Sequence, residues 1–155
     1  MDYHKALRNH LIELLDARSA HIDVPSSLEG FPIERINERI PGSPHTAWEL
    51  LEHIRIAQHD ILHFSINPDY KEMAWPADYW PKADATEENW HNSVRQVLED
   101  LQKMRDLVAD PDADLFKPFE HGQGQTLLRE ALLVADHNAY HIGQLMLLRR
   151  IFENS

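Results

Sequence analysis

Residues 126–152 read TLLREALLVADHNAYHIGQLMLLRRIF, a stretch with the apolar spacing of one long helix that begins after the N-cap Thr126. On a wheel of about 100° per residue, His137, His141 and Glu130 lie on one face of this helix. The apolar residues of the same face are Leu127, Val134, Leu145, Leu148 and Phe152. An unsatisfied polar group in a core costs about 1–3 kcal/mol, so the two imidazoles need partners. The pattern predicts a buried helix that contributes side chains to a site.

Three more helices are predicted upstream, separated by proline-containing connections. Their approximate bounds are Asp2 to Ala20, Ser43-Pro44 to Ile66, and Thr86 to Asp110, with a short helix near Ile33 to Arg39. Ser43 is expected to cap the second helix, with Pro44 at its first position.

The connection from Pro68 to Ala85 decides the predicted topology. It spans about 50–60 Å when extended, whereas the preceding helix is about 36 Å long. The second and third helices can therefore run parallel. The prediction is a single all-α domain over residues 1–155, a four-helix bundle in up-down-down-up order with a long crossover between helices 2 and 3.

Composition excludes several functional classes. The net charge is −11, from 26 acidic and 15 basic residues, which disfavours a nucleic-acid partner. No apolar run is long enough for a membrane span, and the segment Met1–Lys5 lacks a signal-peptide profile, so a cytoplasmic protein is expected. The chain has no cysteine, which excludes disulfides and thiolate ligands.

His53 lies at the edge of the core face of the second helix. If that helix is antiparallel to the last one, His53 lies at a depth similar to that of His137 and His141. Three neutral histidines with open positions are typical of a catalytic divalent-metal site. The alternative for each is a core histidine that bonds another side chain. His59 and His63 have the same four-residue spacing as His137 and His141, but they lie on the polar face of the second helix, where solvent exposure is expected.

A metal held in this way can lower the pKa of a bound water to about 7, or hold an incoming thiol as thiolate. Since Asn138 follows His137 where zinc proteases carry glutamate, a general base must come from elsewhere. Glu49, Asp60 and Glu130 lie near the histidine edges. Glu130 is preferred as a partner that holds an imidazole N–H, and the other two are left open. Trp75, Tyr79 and Trp80 either wall the pocket mouth or cover the end of the bundle.

Three stretches together resemble the DinB/YfiT-like superfamily: residues 43–53 (SPHTAWELLEH), the Trp-Pro-rich crossover, and residues 136–145 (DHNAYHIGQL). The resemblance implies an up-down-down-up bundle that binds one divalent ion, zinc or nickel, through His53, His137 and His141. It also implies frequent homodimers. Known activities of such proteins include metal-dependent hydrolases and transferases that join a low-molecular-weight thiol to an electrophile.

Two functions remain open. The first is a metal-dependent enzyme on a small molecule, working by hydrolysis or by transfer of a thiol cosubstrate. The second is a non-catalytic metal-binding or interaction module, in which the metal staples the bundle.

The last helix also has a second apolar face, which needs a partner. That partner is either the first helix or a second subunit, and a homodimer with this helix at or beside the interface is predicted. The residues of this face are Leu128, Leu132, Ala139, Gly143, Met146 and Leu147.

Overall fold

The computed structural model describes residues 2–17 and 20–155, and this part of the chain is all-α. Four long helices carry the fold, with one short helix and a 3-10 turn (Ile33–Arg35) in the first connection. The helices are α1 (Tyr3–Asp16), α2 (Val24–Leu28), α3 (Ala47–Ile66), α4 (Glu87–Ala109) and α5 (Leu127–Glu153). None of them is long and apolar enough to cross a membrane.

The core lies where α3, α4 and α5 meet, and α1 closes it against α4 and α5. Its apolar side chains recur at helical spacing, so each long helix buries one stripe. Fully buried members include Leu51, Ile54, Trp90, Val97, Met104, Val108, Val134 and Leu145.

Four predicted boundaries are confirmed. The helix α3 ends at Ile66, as predicted. Thr86 and Thr126 are the N-caps of α4 and α5, and Asp110 ends α4. In each N-cap the threonine hydroxyl accepts a bond from a backbone N–H of the first turn, which would otherwise have no partner.

Two predicted boundaries are wrong. The second predicted helix, α3, begins after Thr46 and not at Ser43-Pro44. Thr46 and Glu49 form a capping box: the threonine hydroxyl accepts from Glu49 N at 3.1 Å, and the carboxylate accepts from Thr46 N at 2.8 Å. These two reciprocal bonds give partners to the backbone N–H groups of Thr46 and Glu49, which the helix itself leaves unpaired. A single serine cap at Ser43 offers no such second bond. The first helix ends at Asp16 because Ala17 takes the left-handed conformation (φ 56°); the predicted extension also covers residues 18 and 19, which lie outside the described part.

The first connection also differs from its prediction. Instead of one helix near Ile33–Arg39, it forms α2 after the N-cap Asp23 and then the 3-10 turn Ile33–Arg35. Pro25 suits the first turn of α2, where its missing N–H is not needed.

A buried polar bridge fixes the helices beside the histidines. Asn138 on α5 donates to Gln58 Oε1 on α3 at 2.7 Å, and Gln58 donates to the Val97 carbonyl of α4 at 2.7 Å. Asn138 follows His137 directly, so this bridge sets the rotation of α5 about its own axis. Such a bridge resists slippage because a shift would leave buried amides unpaired.

Candidate metal centre

His53 on α3 and the pair His137 and His141 on α5 meet in space, as the sequence predicts. Their ring centroids lie 4.6–4.9 Å apart, and one ring nitrogen from each lies within 4.8 Å of the others. The His53 and His137 Nε2 atoms are 3.1 Å apart. His53 and His141 are buried, and His137 is half-buried. Among the described residues, this is the one group of histidines and carboxylates with a metal-capable arrangement.

Two of the three rings are held from behind by hydrogen bonds. The Nδ1 of His53 donates to the Tyr79 carbonyl at 2.8 Å, and the Nδ1 of His141 donates to Gln144 Oε1 at 2.7 Å. A proton fixed on Nδ1 leaves the lone pair on Nε2 in a neutral imidazole. Bonds of this kind orient metal-binding histidines and raise their basicity.

Burial keeps all three rings neutral. Loss of solvent and the positive charges of protonated His141 and His53 together lower the pKa of His137 to about 4. Burial also lowers the pKa of His53 against the opposing effect of its Tyr79 bond, and that of His141 against the effect of its Gln144 bond. Neutral imidazole is the form that binds a metal, so the environment favours the ligand state at neutral pH.

The donor set fits a divalent cation. With Nδ1 of His53 protonated, its Nε2 presents a lone pair to the Nε2 of His137 at 3.1 Å. Two nitrogens bound to one zinc at about 2.0–2.1 Å are separated by a similar distance, about 3.3 Å, in a tetrahedral site. The buried Nδ1 of His137 has no hydrogen-bond partner among the described residues. A cation bound by one nitrogen of each ring would take the place of the contact between the His53 and His137 Nε2 atoms.

Trp80 covers one side of the centre. Its ring stacks on His53 at 3.9 Å between centroids and 2° between planes, and on its other side it stacks on His45 at 4.1 Å. The indole therefore separates His45 from the three ligand candidates. Tyr79 and Trp80 thus wall the site, whereas Trp75 is 71% exposed and contacts Tyr79 from outside.

Asp60 anchors the crossover segment that carries Tyr79 and Trp80. One carboxylate oxygen accepts from the Tyr70 hydroxyl at 2.9 Å and the other from the Tyr79 hydroxyl at 2.6 Å. Burial and the Asp60 carboxylate raise the pKa of both tyrosines, that of Tyr70 to about 12. Both oxygens of Asp60 are thus engaged by hydroxyl donors, so Asp60 holds the segment next to His53.

Glu130 does not hold an imidazole, contrary to the preferred interpretation from sequence. Its side chain is 3% exposed, and its Oε1 accepts from Arg129 at 2.7 Å, with no hydrogen bond to any of the three histidines. Burial raises its pKa, the Arg129 bond and charge oppose this, and the Asp60 charge adds to it. The bonds that hold the imidazoles come instead from the Tyr79 carbonyl and from Gln144.

A polar cavity of about 410 Å³ lies about one helical turn along α5 from His137, and none of the three histidines is among its lining residues. Tyr79, which binds His53, and Leu133, one helical turn before His137, both line it. The cavity also presents Asp60, Glu130 and Arg129, so acidic and basic groups face the same space. A volume in this range accommodates a small molecule.

Glu49 and the second histidine pair are not part of the metal-capable group. Glu49 serves the capping box and pairs with Arg39 at 2.7 Å. His59 and His63 are exposed, as predicted, and His59 donates to the buried Asp100 on α4 at 2.7 Å. Neither histidine joins the metal-capable group.

Sequence reasoning missed Gln144 and the Tyr79 carbonyl. Gln144 follows His141 by three residues, a spacing at which helical side chains are neighbours, so it could have been found. The Tyr79 carbonyl carries no sequence signal, because a backbone acceptor is present at every residue and only the fold selects one.

One comparison with known proteins identifies the family of the chain. A family model described as the DinB superfamily matches residues 17–145, a range that includes α3, α4 and all three histidines. No curated protein and no solved structure gives a significant match. Since the family model covers most of the chain, the protein belongs to the DinB superfamily.

Proposed function

We propose that the protein is a metal-dependent enzyme that acts on a small molecule through His53, His137 and His141. The observation that carries the proposal is the trio of neutral imidazoles with no fourth histidine or carboxylate ligand among the described residues. A site with three protein ligands keeps a coordination position for water or substrate, whereas a structural zinc site is closed by four. Zinc and nickel are the proposed ions, since imidazole suits both.

The proposed chemistry is hydrolysis or transfer of a low-molecular-weight thiol. A bound divalent ion would supply a Lewis acid with an open position for the oxygen or sulfur nucleophile. The chain has no cysteine, so a thiol would have to be a cosubstrate. Tyr79 and Gln144 keep two imidazoles oriented, and Trp80 shields the His53 ring from water.

The polar cavity is the proposed substrate site. Glu130 lines it, and burial raises the pKa of this carboxyl above its ordinary value, a direction that favours an acid–base role. Arg129 faces the same space and offers a cation to a polar substrate. Glu130 is therefore the proposed acid–base group, in place of the role as imidazole partner expected from sequence.

We further propose the up-down-down-up order for the long helices. The two cavities support an antiparallel arrangement of α3 and α5, because Leu50 shares a cavity with Leu148 whereas Asp60 shares one with Glu130. Early residues of one helix thus face late residues of the other. The segment between α3 and α4 is long enough for a crossover along the bundle.

Metal analysis followed by activity assays tests the proposal. Protein without a histidine tag is purified without added metal, its metal content is measured, and thiol-plus-electrophile and ester-hydrolysis rates are recorded with metal, after chelation and after metal is restored. An enzyme of this kind shows a rate that chelation removes and metal restores. Metal that raises the melting temperature while no metal-dependent rate appears in a broad substrate panel would instead favour the metal as a staple of the bundle.

A further inference from the structure

The polar cavity has an aromatic wall. Its aromatic lining residues are Phe64, Tyr70, Tyr79 and His121. The Phe64 ring lies 5.2 Å from that of Tyr70 and 4.9 Å from that of His121 between centroids, at interplanar angles of 89° and 62°. Because these inclined rings line one cavity, they form a concave surface and not a flat stack. A concave group of rings suits a cation, which is attracted by the negative face of an aromatic ring.

The charged residues of the same cavity are mostly acidic. They are Asp60, Glu72, Glu130 and Arg129. Arg129 pairs with Glu130 at 2.7 Å, whereas among the described residues neither Asp60 nor Glu72 forms an ion pair. Burial, the Asp60 hydrogen bond and then the charges of Asp60 and Glu72 raise the pKa of Tyr70 to about 12. An excess of negative charge in a cavity attracts a positively charged ligand.

Glu130 leaves one carboxylate oxygen without a partner in this cavity. Its side chain is 3% exposed, and its Oε1 accepts from Arg129 at 2.7 Å. Its Oε2 forms no hydrogen bond with any described residue, although Glu130 lines the cavity. A buried acceptor that has no donor is unfavourable. This oxygen therefore indicates a ligand that brings a donor or a positive charge.

The indicated ligand is an organic cation and not a metal ion. Among the described residues, the one group of histidines and carboxylates able to hold a metal is the trio of His53, His137 and His141, so the carboxylates of the cavity do not converge on one ion. Aromatic rings attract alkylammonium groups, whereas hard divalent ions take oxygen ligands. The cavity volume of about 410 Å³ also gives room for a small organic molecule.

We propose that the polar cavity binds the alkylammonium group of a small organic cation. This inference rests on the proposed function, because it makes the cation the substrate, or the part of the substrate, that the cavity holds. The aromatic rings contact the alkyl groups, and the carboxylates of Asp60, Glu72 and Glu130 supply the opposite charge. The substrate class is thereby narrowed to amines and quaternary ammonium compounds.

Choline and its uncharged isostere, in which a tert-butyl group replaces the trimethylammonium group, test whether the cavity recognises charge. The full chain is titrated with each compound, and binding is followed by the chemical shifts of its backbone amides in NMR spectra. Choline should give saturable shifts at amides of the cavity, such as those of Gly122 and Gln123. The uncharged isostere should bind about 10-fold or more weakly. Equal affinity for the two compounds, or no saturable choline shift at the cavity, would overturn the proposal.

Two pairs of variants test the charge and the rings separately. Glu72→Gln removes one charge of the cavity at an exposed position, so the fold should be unaffected and choline should bind about 2- to 5-fold more weakly. Glu99→Gln on α4 removes the same charge outside the cavity lining and should bind choline like wild type. Tyr70→Leu loses a ring and should bind choline about 5-fold or more weakly, whereas Tyr70→Phe keeps the ring and should stay within about 2-fold of wild type. Wild-type affinity in both Glu72→Gln and Tyr70→Leu would refute this cavity as the cation site.

Failure of this proposal is distinguishable from failure of the proposed function. None of the three histidines lines the cavity, so choline should bind to the protein as purified, after chelation and in His137→Ala. Choline binding without any metal-dependent rate would support the cation site and overturn the enzyme. A metal-dependent rate without choline binding would overturn the cation site alone.

Discussion

Replacing Gln144 with leucine removes one hydrogen bond from the metal centre and little else. Gln144 Oε1 accepts from His141 Nδ1 at 2.7 Å, and it is a side-chain acceptor that a substitution can remove. The corresponding acceptor for His53 is a backbone carbonyl, which no substitution removes. Leucine has a similar size and keeps the apolar contacts of a half-buried position.

The expected loss of zinc affinity follows from the burial of the His141 Nδ1–H, which has no acceptor in Gln144→Leu. His141 is 8% exposed, so its Nδ1–H would lose its partner with little access to water. Such a loss costs about 1–3 kcal/mol, and substitutions behind metal-binding histidines lower affinity on the order of 10–100-fold. Gln144→Leu should therefore weaken zinc binding by 10–100-fold by this estimate. Gln144→Glu should bind zinc more tightly than wild type, because an ionised acceptor forms a stronger bond.

Competition against a chromophoric zinc chelator measures all three affinities. Gln102→Leu on α4 is the matched control, since Gln102 is exposed and its side chain bonds Asp106 and Arg105 of the same helix, away from the three histidines. It should bind zinc like wild type. Equal affinity in Gln144→Leu and wild type, or weaker binding in Gln144→Glu than in Gln144→Leu, would refute the role assigned to this bond.

Three further predictions concern the surroundings of the centre. In Asp60→Asn, the acceptor shared by the Tyr70 and Tyr79 hydroxyls loses its charge, so the free energy of unfolding in urea should fall by about 1–3 kcal/mol. An unchanged free energy of unfolding would mean that the bonds of Asp60 to the two tyrosines contribute nothing. Metal-free protein should lose stability as the pH falls from about 6.5 to about 4, because folding lowers the pKa of His137 to about 4 and the unfolded chain therefore binds a proton that the folded chain does not. The contribution of His137 is up to about 3 kcal/mol. Equal urea midpoints at both ends of this pH range would contradict the prediction. Glu130→Gln should leave zinc affinity near the wild-type value, since no hydrogen bond joins Glu130 to an imidazole, whereas a loss on the order of 10–100-fold would show that it holds the site.

Helical periodicity was sufficient to predict which histidines meet. His137 and His141 share a face with Val134 and Leu145, and that face is buried in the structure. The same periodicity placed His59 on the polar arc, and it is exposed. Local chemistry also located the N-caps of α4 and α5, because a threonine before an apolar-periodic run has few other roles.

Interactions that depend on tertiary placement were not predictable. Ser43 and Thr46 are both acceptable caps, and the choice depended on the bond that Glu49 returns to the Thr46 backbone. Glu130 lies on the histidine face, but its carboxylate turns to Arg129. A helical wheel gives the direction of a Cα–Cβ bond and not the rotamer of a long side chain, so it could not distinguish these partners.

The crossover was predictable as a connection but not in its contacts. Its length and proline content indicated an irregular segment between two long helices. That Trp80 stacks on His53 at 3.9 Å, and that Asp60 binds Tyr70 and Tyr79, depends on how residues 67–85 fold back onto α3. Such contacts join residues far apart in the chain, and no local pattern specifies them.

The claim that His53, His137 and His141 bind a divalent ion is tested most directly by the metal content of untagged protein. Wild type, His137→Ala and His59→Ala are purified in parallel and analysed by inductively coupled plasma mass spectrometry. His59→Ala is the matched control because His59 shares the helical spacing but lies outside the trio. Wild type and His59→Ala should each carry about one divalent ion per chain, and His137→Ala should lose most of it, because two imidazoles hold a metal far less firmly than three. Retention of metal by His137→Ala together with its loss from His59→Ala would contradict the assignment of the centre to His53, His137 and His141.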